Sequence, residues 1–125
     1  MSLFTRTVYR IENPLTQVGL WYRADGAQVD FIKTIEDAKC RDLPMGFDPN
    51  LVGGWVSGTH SIEAMADWLT ASDAEQLIAA GHGLYEVTVD ERGFRMTREP
   101  YVHAVFRREH VRATRQLPYT VLGLS

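Results

Sequence analysis

The chain is almost without cysteine and nearly without lysine. Cys40 is the single cysteine among 125 residues, so no internal disulfide can form, and a lone thiol suits a reducing cytoplasm. One cysteine and four scattered histidines also fall short of a cysteine-based zinc site. No apolar run approaches the roughly 18 to 20 residues that cross a bilayer. The opening "MSLFTRTVYR" lacks the apolar centre of a signal peptide, so neither membrane insertion nor export is expected, and a cytoplasmic protein is. Walker, dinucleotide-glycine, Gly-x-Ser-x-Gly and His-Glu-x-x-His patterns are missing too. With no repeat, low-complexity tract or linker-like stretch, residues 1–125 read as one domain with one core.

Arginine supplies what lysine does not. Eleven of the thirteen basic residues are Arg, set against sixteen acidic ones, for a net charge of −3. That balance argues against general affinity for nucleic acid, although distribution matters more than the total. Arg98, Arg107, Arg108, Arg112 and Arg115 gather near the C-terminal end, with Glu99 and Glu109 as their neighbours in sequence. Such a cluster either grips phosphate or carboxylate or forms the solvated face of an edge strand, where charge discourages aggregation.

Periodicity outlines the elements. "TRTVYRIEN" alternates polar and apolar residues and stops at Asn13-Pro14, which predicts a first strand. "VGLWYRADG" follows as a short strand or extended loop turning at Asp25-Gly26. Val29, Ile32, Ile35 and Ala38 recur near helical spacing, predicting a helix from Ala27 to about Leu43, closed before Pro44. Residues 44–54 hold two prolines and three glycines and read as a long irregular loop of the kind that lines sites. "GWVSG" is a short strand running into a helix with Ser61 as N-cap, Glu63 in the first turn and an apolar stripe of Ile62, Met65, Ala66 and Leu69. Ser72 and Glu75 predict a capping box for a second helix ending at Gly81. "GLYEVTVD" alternates, with Tyr85, Val87 and Val89 on one face. Asp90 to Gly93 are expected to turn it into a hairpin with "FRMTRE". "YVHAVF" is a further strand, and "HVRAT" to "YTVLGL" one or two more. The expected fold is α+β: a mostly antiparallel split sheet, one helix after the first strands and a helix pair after the mid-chain strand.

Three polar features sit on these strands. Arg10 lies between apolar neighbours, which is expensive unless it is paired or wet, and Glu12 is the near partner. Alternation puts Tyr9 and Ile11 on one face of the strand, Val8 and Arg10 on the other. Ser57 and Thr59 share a strand face just before the capped helix. His103 falls within the apolar "YVHAVF". Trp21, Tyr22 and Trp55 could stack on a planar ring or simply fill core. His60 and Glu63 stand one helical turn apart without a second ligand pair, so no metal is expected.

In order along the chain, "VYRIEN…GLWY…GGWVSGTHSIEAMADWL…GLYEVTV…HAVFRREH" resembles the ADP-ribosyltransferase-like fold, as found in small proteins of bacteria and their phages. The resemblance spans most of the chain on short, degenerate motifs. It implies NAD as substrate, with Arg10 holding its phosphate or ribose and Ser57 with Thr59 shaping the nicotinamide-ribose pocket. It also implies a late-strand acid that steadies an oxocarbenium-like transition state. Here His103 occupies that place and Glu109 follows several residues later. Either Glu109 takes the role through a different strand register or the domain binds without this chemistry. The resemblance thus implies Arg10, Ser57 and Glu109 as catalytic residues, and Tyr9, Tyr22, Trp55, Thr59 and His103 around the nucleotide.

A second expectation is a non-catalytic interaction protein, such as a phage-type inhibitor gripping a host or cellular protein through the Arg-rich C-terminal strands. RNA contact through Arg107 to Arg115 ranks last, given the acidity and the absence of a stacking motif. What separates the first two is whether Arg10, Ser57 and His103 or Glu109 converge on one hollow.

Overall fold

Among the described residues, two three-stranded antiparallel sheets are bridged edge to edge at one pair of residues. The structure, a computed structural model, describes residues 4–17, 19, 55–97 and 104–124. Apart from Gly19, the expected elements over 18–54 lie outside these residues, as do Tyr22, Arg98 and His103. The first sheet has the order β1-β3-β6, formed by Thr5–Glu12, Gly83–Asp90 and Val111–Leu117. The second has the order β2-β5-β4, formed by Trp55–Gly58, Ala104–Arg107 and Phe94–Met96. They join where Tyr9 and Thr59 exchange backbone hydrogen bonds of 2.8 Å in both directions. The fold is α+β, with helices α1 (Ile62–Ala66) and α2 (Ala71–Ala79) between β2 and β3. Among the described residues no helix is long and apolar enough to cross a membrane.

Strand alternation divides the core into two parts on opposite faces of β1. Ile11 joins Met65, Trp68, Leu69, Leu77, Leu84 and Leu122 under the helices, with half-buried Tyr9 packed on that cluster. Val8 turns the other way, between the sheets, to meet Val56, Val87, Val89, Ala104 and Phe106. Arg10 shares the parity of Val8. Tyr85, Val87 and Val89 share a face, as their spacing predicts, and all belong to or pack on the inter-sheet cluster.

The helices begin and end through local hydrogen bonds. Ser61 Oγ accepts the Ala64 amide at 3.0 Å, as expected of the N-cap. The second cap differs from the expected Ser72–Glu75 box. Thr70 is the N-cap, with its hydroxyl accepting the Asp73 amide and the Asp73 carboxylate accepting the Thr70 amide. Thr70 is extended while Ser72 is already helical, and a capping side chain acts only from the non-helical residue. At the far end His82 N donates to Leu77 O and Gly81 N to Ile78 O, closing the helix with Gly81 at φ 86°.

Two other expectations change. The segment after Asp90 does not fold back on β3 as a hairpin. A three-residue 3-10 turn, Glu91–Gly93, carries the chain into the other sheet, where β4 pairs with β5. A matching turn, Arg108–His110, returns the chain from β5 to β6. Asp90 anchors the crossing: its carboxylate accepts the Arg92 backbone amide, two Arg92 guanidinium nitrogens, and Arg112 Nη2 at 2.7 Å. Those contacts hold its pKa well below the usual carboxylate range, with the Arg92 side chain acting most strongly. Past β6, Pro118 precedes a 3-10 turn, Tyr119–Leu122, rather than another strand.

Gly58 shows how closely the sheets approach. A Cβ there would lie 2.6 Å from Val8 Cγ1 and against the Tyr9 carbonyl oxygen, which is fixed by its bond to Thr59 N. We expect Gly58→Ala to destabilise by about 3 kcal/mol through overpacking. Gly81→Ala should cost about 1 to 2 kcal/mol for its left-handed backbone. Urea unfolding of both variants checks the order. For Asp90, a pKa depressed in the folded state adds stability above the unfolded value of about 3.9 and loses it as pH falls below that. The gap in urea midpoint between wild type and Asp90→Asn should therefore be widest at pH 7 and measurably smaller, though not closed, at pH 3.

Candidate functional site

Arg10 has a side-chain exposure of only 2%, and a buried guanidinium must find acceptors for its donors. It finds them on three segments. Nε donates to Glu12 Oε1 at 2.7 Å, Nη1 to the Ser57 carbonyl at 2.7 Å, and Nη2 to the Gln17 carbonyl at 3.2 Å. Arg10 therefore ties β1 to β2 and to the chain just past β1. Burial lowers its pKa to about 10, with Glu12 opposing the fall, so it remains a cation at neutral pH. His82, buried beside this group where α2 ends, is pushed towards the neutral imidazole by its burial.

Glu12 is shared. The same Oε1 that accepts Arg10 also accepts Arg108 Nη2 at 2.7 Å, from the turn after β5. Glu12 keeps 13% side-chain exposure and Arg108 keeps 31%, so the trio runs from the interior to a wet rim. That rim borders a cavity of about 350 Å³. Glu12 and Arg108 are its charged walls, Tyr85 and Thr114 its hydroxyl walls, and Val87 and Val111 part of its apolar lining. The size lies at the lower end of small-molecule sites, about 300 to 1,000 Å³. Arg108 Nε is buried and finds no hydrogen-bond partner among the described residues.

The structure brings Arg10 and Ser57 together, through the serine carbonyl. Thr59 is buried on the same strand face as Ser57, and its hydroxyl donates to the Ser61 carbonyl at 2.9 Å, bracing the start of α1. Tyr9 is on the face of β1 opposite Arg10, its hydroxyl 3.4 Å from Glu86 Oε2. Trp55 is buried at the start of β2, with the Arg107 and Arg95 guanidinium carbons 4.9 and 5.8 Å from the ring centroid. Glu109 is 66% exposed on the turn after β5, 3.4 Å from Arg107 Nη1. Among the described residues no three His, Cys, Asp or Glu side chains group as a metal site requires.

Sequence reasoning linked Glu12 to Arg10 but did not single out Arg108 from the C-terminal cluster. Arg112 and Arg115 do behave as edge-strand residues, exposed on β6 and paired with Asp90 and Glu86. Arg108 differs because the 3-10 turn swings it towards β1, a consequence of topology that local spacing does not carry. Set against protein-family models, curated proteins and solved structures, the chain matches none of them.

Removing the carboxylate would take from the buried Arg10 cation the counter-charge that sits 2.7 Å away. Glu12→Gln should therefore destabilise by about 3 to 5 kcal/mol, whereas Arg108→Gln, at the wet end, should cost about 1 kcal/mol or less. Chemical denaturation of the two variants tests the difference.

Proposed function

We propose that the protein is an ADP-ribosyltransferase-like domain whose cavity between the first sheet and the Arg108 turn binds NAD or a related ADP-ribose-type nucleotide. The observation that carries the reading is the junction itself. A first-strand Arg is bonded to a mid-chain Ser where two antiparallel sheets join, and its partner Glu12 lines a hollow together with Arg108. Arg108, at the cavity wall, offers a guanidinium of the kind that holds phosphate. The cavity has room for a phosphate and its sugar rather than for a whole dinucleotide.

Transfer of ADP-ribose breaks the bond from the ribose anomeric carbon to nicotinamide, which leaves with the electron pair while an acceptor nucleophile bonds that carbon. The developing cation calls for a carboxylate. Glu12 is poorly suited, because two guanidinium groups already neutralise it. Glu109, exposed and held by Arg107 alone among its described contacts, is the acid free to take that role. Ser57 acts as a positioning residue, its carbonyl locked to Arg10.

Incubation with NAD should release nicotinamide, and Glu109→Gln should lower that release at least tenfold while ADP-ribose still raises the melting temperature. Absence of any melting shift with NAD or ADP-ribose would sink the nucleotide reading. A shift without nicotinamide release would leave a binding module and remove the transferase.

A further inference from the structure

We infer that the cavity beside Glu12 and Arg108 is a site for a neutral polyhydroxyl ligand, a single sugar ring, held by the unbonded atoms of that ion pair and by two wall hydroxyls. The inference goes beyond the nucleotide reading, since it holds whether the sugar is free or part of a nucleotide. The charges select neutrality. Glu12 and Arg108 are the charged residues of the described lining, and they bond each other at 2.7 Å, so that lining carries no net charge. Arg10 lies behind Glu12 with 2% exposure and is not part of it. An anion seated here would meet the second carboxylate oxygen of Glu12, and a cation would meet the unbonded end of the Arg108 guanidinium.

The donors and acceptors select hydroxyls. Glu12 Oε1 takes both arginines, while Oε2 takes no hydrogen bond among the described residues. Arg108 gives Nη2 to Glu12, and its Nη1 meets no acceptor among them. The Tyr85 and Thr114 hydroxyls likewise have no partner there. Unlike Arg108 Nε, none of these atoms is buried. The wall thus offers one acceptor, one donor and two hydroxyls able to act as either. A carboxamide would match one donor with one acceptor. A ring of hydroxyls, each donor and acceptor at once, matches all of them. Val87 and Val111 give the same cavity an apolar patch for the C–H face of such a ring. Burial first, then Glu12, raises the Tyr85 pKa, so its hydroxyl keeps the proton that it would donate.

Two arms separate a free sugar from a nucleotide sugar: D-ribose and D-glucose in one, ADP-ribose in the other. Each is titrated into wild type, Tyr85→Phe, Thr114→Val and Arg115→Gln while NMR follows the Val87 and Val111 methyl signals. The expected result is a saturable shift of both signals by at least one free sugar, with binding about tenfold weaker in Tyr85→Phe and Thr114→Val. Arg115→Gln, outside the lining, should bind as wild type does, and inorganic phosphate should leave the signals in place. Stationary signals with all three sugar probes overturn the inference. Shifts from phosphate equal to those from sugar overturn the neutrality of the site. Free-sugar binding without ADP-ribose binding supports the site and removes the nucleotide reading. ADP-ribose binding that Tyr85→Phe and Thr114→Val leave unchanged overturns the site and spares the nucleotide reading. Should either variant fail to fold, the wild-type signals decide through the sugar and phosphate arms.

Discussion

The junction between the two sheets depends on burying the Arg10 guanidinium. A cation with 2% exposure survives only where geometry supplies acceptors. Here one comes from β1 itself, one from β2, and one from the chain just past β1. Each acceptor is thereby held in place. The Ser57 carbonyl is drawn to β1, Glu12 is oriented along the strand, and Glu12 in turn holds Arg108 from a turn 96 residues away. A single buried charge thus links the strand junction to the cavity wall.

The chain crosses between the two sheets at the turns after β3 and β5. Asp90 gathers the Arg92 amide, the Arg92 side chain and Arg112 at the first crossing, compensating a carboxylate with 1% exposure. Val8, Val56, Val87, Val89, Ala104 and Phe106 fill the space between the sheets on one side of Arg10. Glu12, Tyr85, Arg108 and Thr114 add polar groups to a cavity whose lining also includes Val87 and Val111. The cavity lies between the first sheet and the turn that carries Arg108. Such an arrangement of fixed donors around a small hollow is the usual setting for recognition of a compact polar ligand.

Much of the local structure was legible along the chain. The alternation in "TRTVYRIE" and "GLYEVTVD" reflects strands with different neighbours on their two faces, and period-two patterning survives whatever the tertiary context. Ser61 was legible as a cap because the hydroxyl acts on an amide three residues away. The second helix shows the limit of this reasoning. Thr70-x-x-Asp73 and Ser72-x-x-Glu75 both resemble caps in sequence, and which one serves depends on where the backbone leaves the extended region. In the candidate site, Arg10 stood out as a charge among apolar residues, and Glu12 as its near partner two positions on. Arg108 was one arginine among several, with nothing local to mark it.

By itself, then, the sequence determined the strands, the helix pair and the presence of a guanidinium that needed a partner, since these follow from contacts within a few residues. Tertiary structure alone decided that β4 joins β5 rather than β3, that Tyr9 pairs with Thr59 across the sheet junction, and that Arg108 meets Glu12. Those outcomes come from long-range pairing and from a three-residue turn directing a side chain. Their energies depend on groups that become neighbours only once the sheets have closed on each other.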